Sequence, residues 1–554
     1  MNMKKHLALA CMALALFTAG TAQAQTTYYY DNVTGAGFGA AGGTWAAPTP
    51  GPNPGWTTDG TGAAVPGSVT TATGDTLNFG NGALGLGAGT ITVSGTQNAG
   101  DLTFASGSGA IVLSGGTAIN LGATSTITVN NAADTISSVL SGAATSLTKA
   151  GGGTLTLSGA NTFSGQLRVE NGTLAINTIN NDSANGTLGN NALSVIFGNT
   201  GAQTGTLQYT GATASSTKKF TMATGGTGAF DVTTGANALT LSGLIDGSGG
   251  LTKIGAGTLT LSNTNTYTGA TTVNAGTLKL DFSAATAPTT NIISSSSALV
   301  LGGGTLNLTG KASTINSQAV NGTTINPGLS AITLTANATA NPLSLSLGAI
   351  TRNVGSALRI TLPTGTPSAS NGVLTTSGTA GTILLHNGVA YATIGTTGWA
   401  GMDATNTFIA PVTYTAATPT SLSGNANLNT PFGVHTLSSD TTITSLRNAQ
   451  GRSTTVNITA GVTLTTGGIL VSSLTDDGGV FTINGPGSLR GPAGQDLVFL
   501  NHPLGITRYH PSVIAAPIVD NVSATGLTYS GLVPASGMGE LLFLKWASFC
   551  SSPV

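Results

Sequence analysis

Acid–base chemistry needs paired carboxylates, and this chain offers almost none. Of 17 acidic residues only Glu170 and Glu540 are glutamates, and the one adjacent pair is Asp476-Asp477. Gly478 and Gly479 follow that pair, so it reads as a turn. A metal site needs converging ligands, and the histidines His6, His386, His435, His502 and His510 are scattered. His502 and His510 each precede a proline, which favours extended or turn backbone, so both read as loop residues. Gly225–Asp231 approaches a calcium-binding Gly/Asp pattern, but its Asp falls one position late and the pattern does not recur. Asp246-Gly247-Ser248-Gly249-Gly250 has the wrong order for a serine nucleophile loop and no His–Asp partners. Gly304–Lys311 is one residue too long for a phosphate loop, with Ala312 where Ser or Thr belongs. Trp399 and Tyr391 are the few aromatics that could line a sugar-binding face, and packing explains both more simply. The expectation is a protein with no catalytic, cofactor or metal residues.

Composition agrees with that expectation. The chain has 554 residues, a formal net charge of −1 and 6% charged residues. An ordinary soluble domain carries about 25%. No basic excess is present to neutralise phosphates, which argues against nucleic acid as a partner. Charge is too sparse for a coiled coil. Mean hydropathy is +0.25, the reverse of a disordered chain. Between His6 and Thr148 there is no Lys or Arg, as a β-helical lyase or hydrolase would need beside clustered Asp.

Residues 1–24 read as a secretory signal peptide. Lys4, Lys5 and His6 form the charged start, Leu7 to Ala19 the apolar stretch, and Ala22-Gln23-Ala24 the cleavage site. The mature chain then begins at Gln25, with 14 basic against 17 acidic residues. The cysteines are Cys11 and Cys550, so the mature chain has no intrachain disulfide. No later apolar run is long enough for a transmembrane helix.

The elements that would position any site are set by an internal repeat. Residues 147–176 and 251–280 match at 17 of 30 positions without a gap, offset by 104. The shared skeleton is Leu-Thr-Lys-x-Gly-x-Gly-Thr-Leu-Thr-Leu-Ser, then Asn-Thr-aromatic, then Gly, Val and Gly-Thr-Leu. Thr154–Leu157 and Thr258–Leu261 alternate with the period of a half-buried strand, Leu inward and Thr outward. Gly151, Gly153, Gly255 and Gly257 sit where tight turns need positive φ, and Asn161 and Asn265 at turn-like positions. Shorter strands are expected at Gln166–Val169 and Thr173–Ile176, and at Thr271–Asn274 and Thr277–Leu280. Three strands in some thirty residues would make one coil.

The fold class expected is all-β: an elongated right-handed parallel β-helix (β-solenoid) of roughly 20 or more coils with an N-terminal cap, stacked at about 4.8 Å. Residues 25–66, with Tyr28, Tyr29, Tyr30, Trp45 and Trp56, read as the cap. Residues 67–281 read as the clear solenoid and 282–500 as a divergent one, with loops near 363–371 and 411–431. Residues 501–538 read as irregular coils with a partial third repeat at Gly526–Gly531. Residues 539–554 form an atypical tail that reads as the mark of a truncated or frame-shifted piece of a longer protein.

The two 30-residue units resemble the autotransporter-associated β-strand repeat, through Gly-x-Gly-Thr-Leu-Thr-Leu-Ser, Asn-Thr-Phe/Tyr and Gly-Thr-Leu. Gly43-Thr44-Trp45 and Trp56–Asp59 also look like the start of large proteins carrying this unit. The resemblance implies a β-helical passenger, exported by a Gram-negative-type bacterium and displayed at its outer membrane or released. It implies no catalytic residues. Nothing after residue 282 has the pattern of the C-terminal membrane barrel that such proteins carry. The function expected is a non-enzymatic surface or secreted scaffold, stalk or adhesin-like. The alternative is a β-helical polysaccharide-binding or polysaccharide-degrading protein. The partner is open, a surface polysaccharide or a neighbouring cell surface being the candidates.

Overall fold

The computed structural model describes residues 25–51, 54–143, 145–337, 341–416, 422–428, 433–449, 453–472, 479–502, 512–521, 526–531 and 541–543. The expected leader, Asp476-Asp477, His6, His510, both cysteines and most of the tail lie outside those residues. Among the described residues the regular elements are strands. No helix among them is long and apolar enough to cross a membrane, which says nothing about β-barrels.

The strands alternate Leu, Ile or Val with Thr, Ser or Asn, and the structure buries the first set. Along one inward column Leu155 stacks on Leu174, then on Leu207 and Phe230, each 0–1% exposed. Such in-register stacking forces successive coils to run parallel, and the main stack is a parallel β-solenoid. It has three faces. Face I begins with a ten-stranded sheet that includes Thr27–Asp31. Face II is a thirteen-stranded sheet from Thr44–Trp45 to Ile350–Arg352. Face III starts as a three-stranded sheet and resumes as a ten-stranded one.

The solenoid has about 16 turns, not 20 or more. Two things lengthen the turn. Hydrogen-bonded neighbours lie 20 residues apart at Leu147↔Leu167 but 28 apart at Arg168↔Ile196, where a long loop leaves the coil. Residues 392–411 also spend their length on an antiparallel ribbon, Ala392–Ile394, Gly398–Met402 and Ile409–Pro411.

The N-terminal end differs in detail from the expected cap. Thr27–Asp31 and Thr44–Trp45 already pair in parallel with the next coil. The closing element is Gly55–Thr57, which lies antiparallel on Thr27–Asp31 and covers its open edge. Beneath it Tyr30, Trp45, Trp56, Phe79 and Phe104 form a buried ring cluster with centroids 4.9–6.1 Å apart. After Ser356–Thr361 and the ribbon, a second parallel stack builds its own core from Leu446, Val456, Ile469, Phe481, Ile483 and Phe499.

Candidate functional site

The repeat is the one motif the sequence singles out, and its geometry differs from the expected single coil. Each unit holds four strands spread over two coils. In the first unit Ser146–Ala150 pairs with Leu167–Val169, and Thr154–Leu157 with Gly172–Ile176. In the second, Gly250–Ile254 pairs with Thr271–Val273, and Thr258–Leu261 with Thr277–Asp281. Each coil therefore lacks its third strand. In its place residues 158–166 and 262–270 cross the open face, followed one coil later by the long loops 177–194 and 282–298.

The repeated Asn follows a bend, in keeping with its turn-like setting, and its side chain bridges the coils below and above. Asn161 Oδ1 accepts from the Leu140 N–H at 2.8 Å, and its Nδ2 donates to Thr187 O at 3.1 Å. Asn265 Oδ1 accepts from the Ile245 N–H at 2.9 Å and Nδ2 donates to Ile292 O at 3.0 Å. A buried strand edge must have its donors met, and one carboxamide does this where the next strand is missing. The aromatic two residues on, Phe163 or Tyr267, is fully buried and fills the space behind. Tyr267 also shares a hydrogen bond with the Thr271 hydroxyl, which in turn contacts Ser297 Oγ.

The repeated Lys points inward. Lys149 Nζ donates to the carbonyls of Ala150, Gly151 and Asn171 at 2.8–3.0 Å. Lys253 Nζ does the same for Ile254, Gly255 and Ala275. Three turn carbonyls converge on one ammonium, all of whose protons are used. Burial pushes both amines down to about 8. Gly151 and Gly255 have φ of +76° and +74°, as expected for the turn. Gly153 and Gly257 do not have positive φ; they are needed for closeness. A Cβ at Gly153 would lie 2.0 Å from Asn131 O, and one at Gly257 2.5 Å from Val232 Cγ1.

The loops carry what variable surface the repeat offers. In the first, Asn180 Nδ2 donates to the carbonyls of Asn181, Ala184 and Gly189, tying the loop into a compact knot. A groove of about 380 Å³ runs between Ser158–Ala160 and this loop, lined mostly by Asn, Thr, Ser, Gly and Ala, with Ile179. In the second, Ile292 and Ile293 anchor the loop in the core.

The other sequence candidates are not brought together. His386 is half-buried in the strand Leu385–His386, and burial beside Arg352 lowers its pKa. His435 and His502 are fully buried; His502 lies just past a strand, outside regular structure as expected of a loop residue, but it is not exposed. The reason is that Leu497–Asn501, just before it, is a strand buried along its whole length. Gly225–Asp231 enters the strand Thr227–Val232, where Asp231 accepts from Gln208 at 2.9 Å. Asp246–Gly250 runs from the strand Ile245–Gly247, which precedes the second unit, into that unit's first strand Gly250–Ile254, and Gly304–Lys311 overlaps the strand Thr305–Thr309. Trp399 and Tyr391 are 0–1% exposed and line no sugar-binding surface. Among the described residues no three His, Cys, Asp or Glu side chains are placed to share a metal ion.

Sequence reasoning missed the coil-bridging role of Asn161 and Asn265 and the carbonyl clamps of Lys149 and Lys253. A signal for the lysines was present: Leu147-Thr148-Lys149 and Leu251-Thr252-Lys253 put Lys in phase with the buried Leu.

The family model described as Passenger-associated-transport-repeat matches residues 147–176 and 251–280, the two units just described. A curated relative, Adhesin BmaC autotransporter of Brucella suis biovar 1 (strain 1330), is 43% identical over 127 residues. The aligned stretch is 22% of this chain and 4% of the adhesin, so the chain spans only a small part of that relative. No solved structure matches. The chain thus carries passenger-type transport repeats on a β-solenoid and is homologous to part of an autotransporter adhesin.

Proposed function

We propose that this chain is a non-enzymatic, exported surface scaffold: a passenger stalk of adhesin type that holds long loops away from the cell. The observation that carries the reading is the repeat itself. It opens one face of an almost uncharged solenoid, seals the gap with Asn and an aromatic, and uses the gap to emit a long loop. That is display geometry, with rigid coils on both sides of a variable segment. The similarity to an adhesin autotransporter supports the same reading. The partner is a neighbouring cell or polysaccharide surface met by the loops, with no cofactor.

The test is made on intact cells of the source bacterium. Antibodies raised against peptides 177–194 and 282–298 should label unpermeabilised cells or the culture medium. Replacing both loops with Gly-Ser segments of equal length should lower attachment to surfaces while the amount displayed stays constant. Label found only after permeabilisation, or attachment unchanged by loop replacement, would overturn the proposal.

A further inference from the structure

Where the second stack meets the first, one strand faces two interiors. All five residues of Leu497–Asn501 are buried. Leu497 and Phe499 belong to the second stack's own core. Val498 and Leu500 belong to a separate apolar cluster with Ala357, Val389, Ala390 and Trp399. Side chains alternate along a strand, so one row runs Asp496, Val498, Leu500, His502 and faces the main stack. The junction also holds a backbone bond, Ala390 N–H to Gly467 O at 2.9 Å, and the Ser472 hydroxyl donating to Thr397 O at 3.1 Å.

Both ends of that row are ionisable and buried. At one end Asp496 accepts two bonds from the Arg352 guanidinium at 2.7 and 2.6 Å, one from the Gly355 N–H at 3.2 Å and one from the Thr528 hydroxyl. Arg352 stands at the end of the main stack's face II. These donors hold the carboxyl below its ordinary range despite its burial. At the other end His502 is 0% exposed, and neither ring nitrogen has a hydrogen-bond partner among the described residues. Burial, with the positive charge of Arg359 as a further cause, takes the ring down to about 4. The other ionisable groups at the junction are His386 and Tyr391 near Arg352, and Arg447, which lies 4.7 Å from the Tyr414 ring centroid. None of these adds a negative charge at neutral pH.

We propose that this row is an acid-operated latch between the two stacks. It is closed at neutral pH, with Asp496 ionised against Arg352 and His502 neutral. It opens on acidification, first as His502 gains a charge that faces Arg359, then as Asp496 loses the charge that balances Arg352. The signs agree. A buried His with a lowered value favours the closed state less and less as pH falls from about 6.5 toward 4. A carboxylate with a lowered value withdraws its contribution below about 3.8. Both steps leave positive charge without a counter-charge in the same apolar seam.

Hydrogen exchange on the full mature chain tests the latch at pH 7.5, 5.0 and 3.5, corrected for intrinsic rates. The Ala390 amide and the 497–501 strand should lose at least tenfold protection at pH 5.0 and more at 3.5. The strand Thr258–Leu261 should hold throughout, and small-angle scattering should show a longer particle. In His502→Gln the loss at pH 5.0 should vanish and only the lower step remain. In the paired variant Arg352→Met with Asp496→Leu the lower step should vanish. Arg359→Gln, at a half-buried position, should reduce the pH 5.0 loss and serves if the buried variants do not fold. Junction protection that is flat with pH in the wild type overturns the proposal, as does an unaltered pH 5.0 loss in the His502 and Arg359 variants.

Discussion

The two repeat units share 17 of 30 residues and are placed on different faces of the prism. In the first, Ser146–Ala150 lies in face I, Thr154–Leu157 in face II, and the strandless segment crosses face III. In the second, Gly250–Ile254 lies in face II, Thr258–Leu261 in face III, and the gap falls on face I. Between them face I gains the strands at 167, 195, 220 and 245 before the chain turns the corner to 251. One period is therefore four turns plus one face. This also explains the broken sheets: the first unit interrupts face III and the second interrupts face I, while face II runs unbroken through both. A face is thus a local environment that the same motif can build or suspend.

Four measurements would break or sharpen that equivalence. Global unfolding of a coil stack is not a single transition, so each is read as local amide exchange. The largest effect is expected from emptying the core plug. Phe163→Ala and Tyr267→Ala should each cost about 3–5 kcal/mol locally, on face III for one and face I for the other. Loss that spreads equally to both faces would contradict independent plugs. Next come the bridging carboxamides. Asn161→Leu and Asn265→Leu strand the Leu140 and Ile245 amides and should cost about 1–3 kcal/mol, read at those two amides.

The third effect is a pH slope. Each clamp lysine releases its proton at about 8 when folded and near 10.4 when unfolded, so the unfolded chain binds more protons between those values. Stability at both units should rise by about 1–2 kcal/mol from pH 7.5 to 9.5, and Lys149→Met and Lys253→Met should each flatten the slope at their own unit. The smallest effect separates the units. Asp134, paired with Leu155 of the first unit, has its carboxyl raised to about 6 by burial, and its Oδ2 has no partner among the described residues. Its folded state prefers the proton, so local stability there should rise by about 1 kcal/mol from pH 7 to 5. The second unit, with Leu239 against Leu259 in the corresponding strand pair, should show no such gain, and Asp134→Asn should abolish it in the first.

The strands were legible because alternation of Leu and Thr is a local, two-residue signal. Thr154–Leu157 and Thr258–Leu261 fall where that signal puts them. Lateral register was not legible. Asn161 before Thr and Phe in a Gly-rich segment reads as a turn, and only the positions of Leu140 in the coil below and Thr187 in the coil above make its side chain a bridge. The same blindness hid the two-coil unit, since strand lengths say nothing about which face a strand joins. Arg352 and Asp496 are 144 residues apart, with no sequence feature linking them. The burial of His502 was not legible because the proline after it speaks for local backbone, while the strand before it decides burial.

A parallel solenoid has its hydrogen bonds between coils, so they point along the rod. Tension on the rod's ends therefore loads each ladder in the direction that opens it, one rung after another, with no requirement that a whole sheet shear at once. A coil of 20–28 residues, once opened, releases on the order of 70–100 Å of chain at about 3.5 Å per residue. Under axial pull, such a coil stack is a stepwise tether. Its first coils to yield should be those carrying two strands where their neighbours carry three.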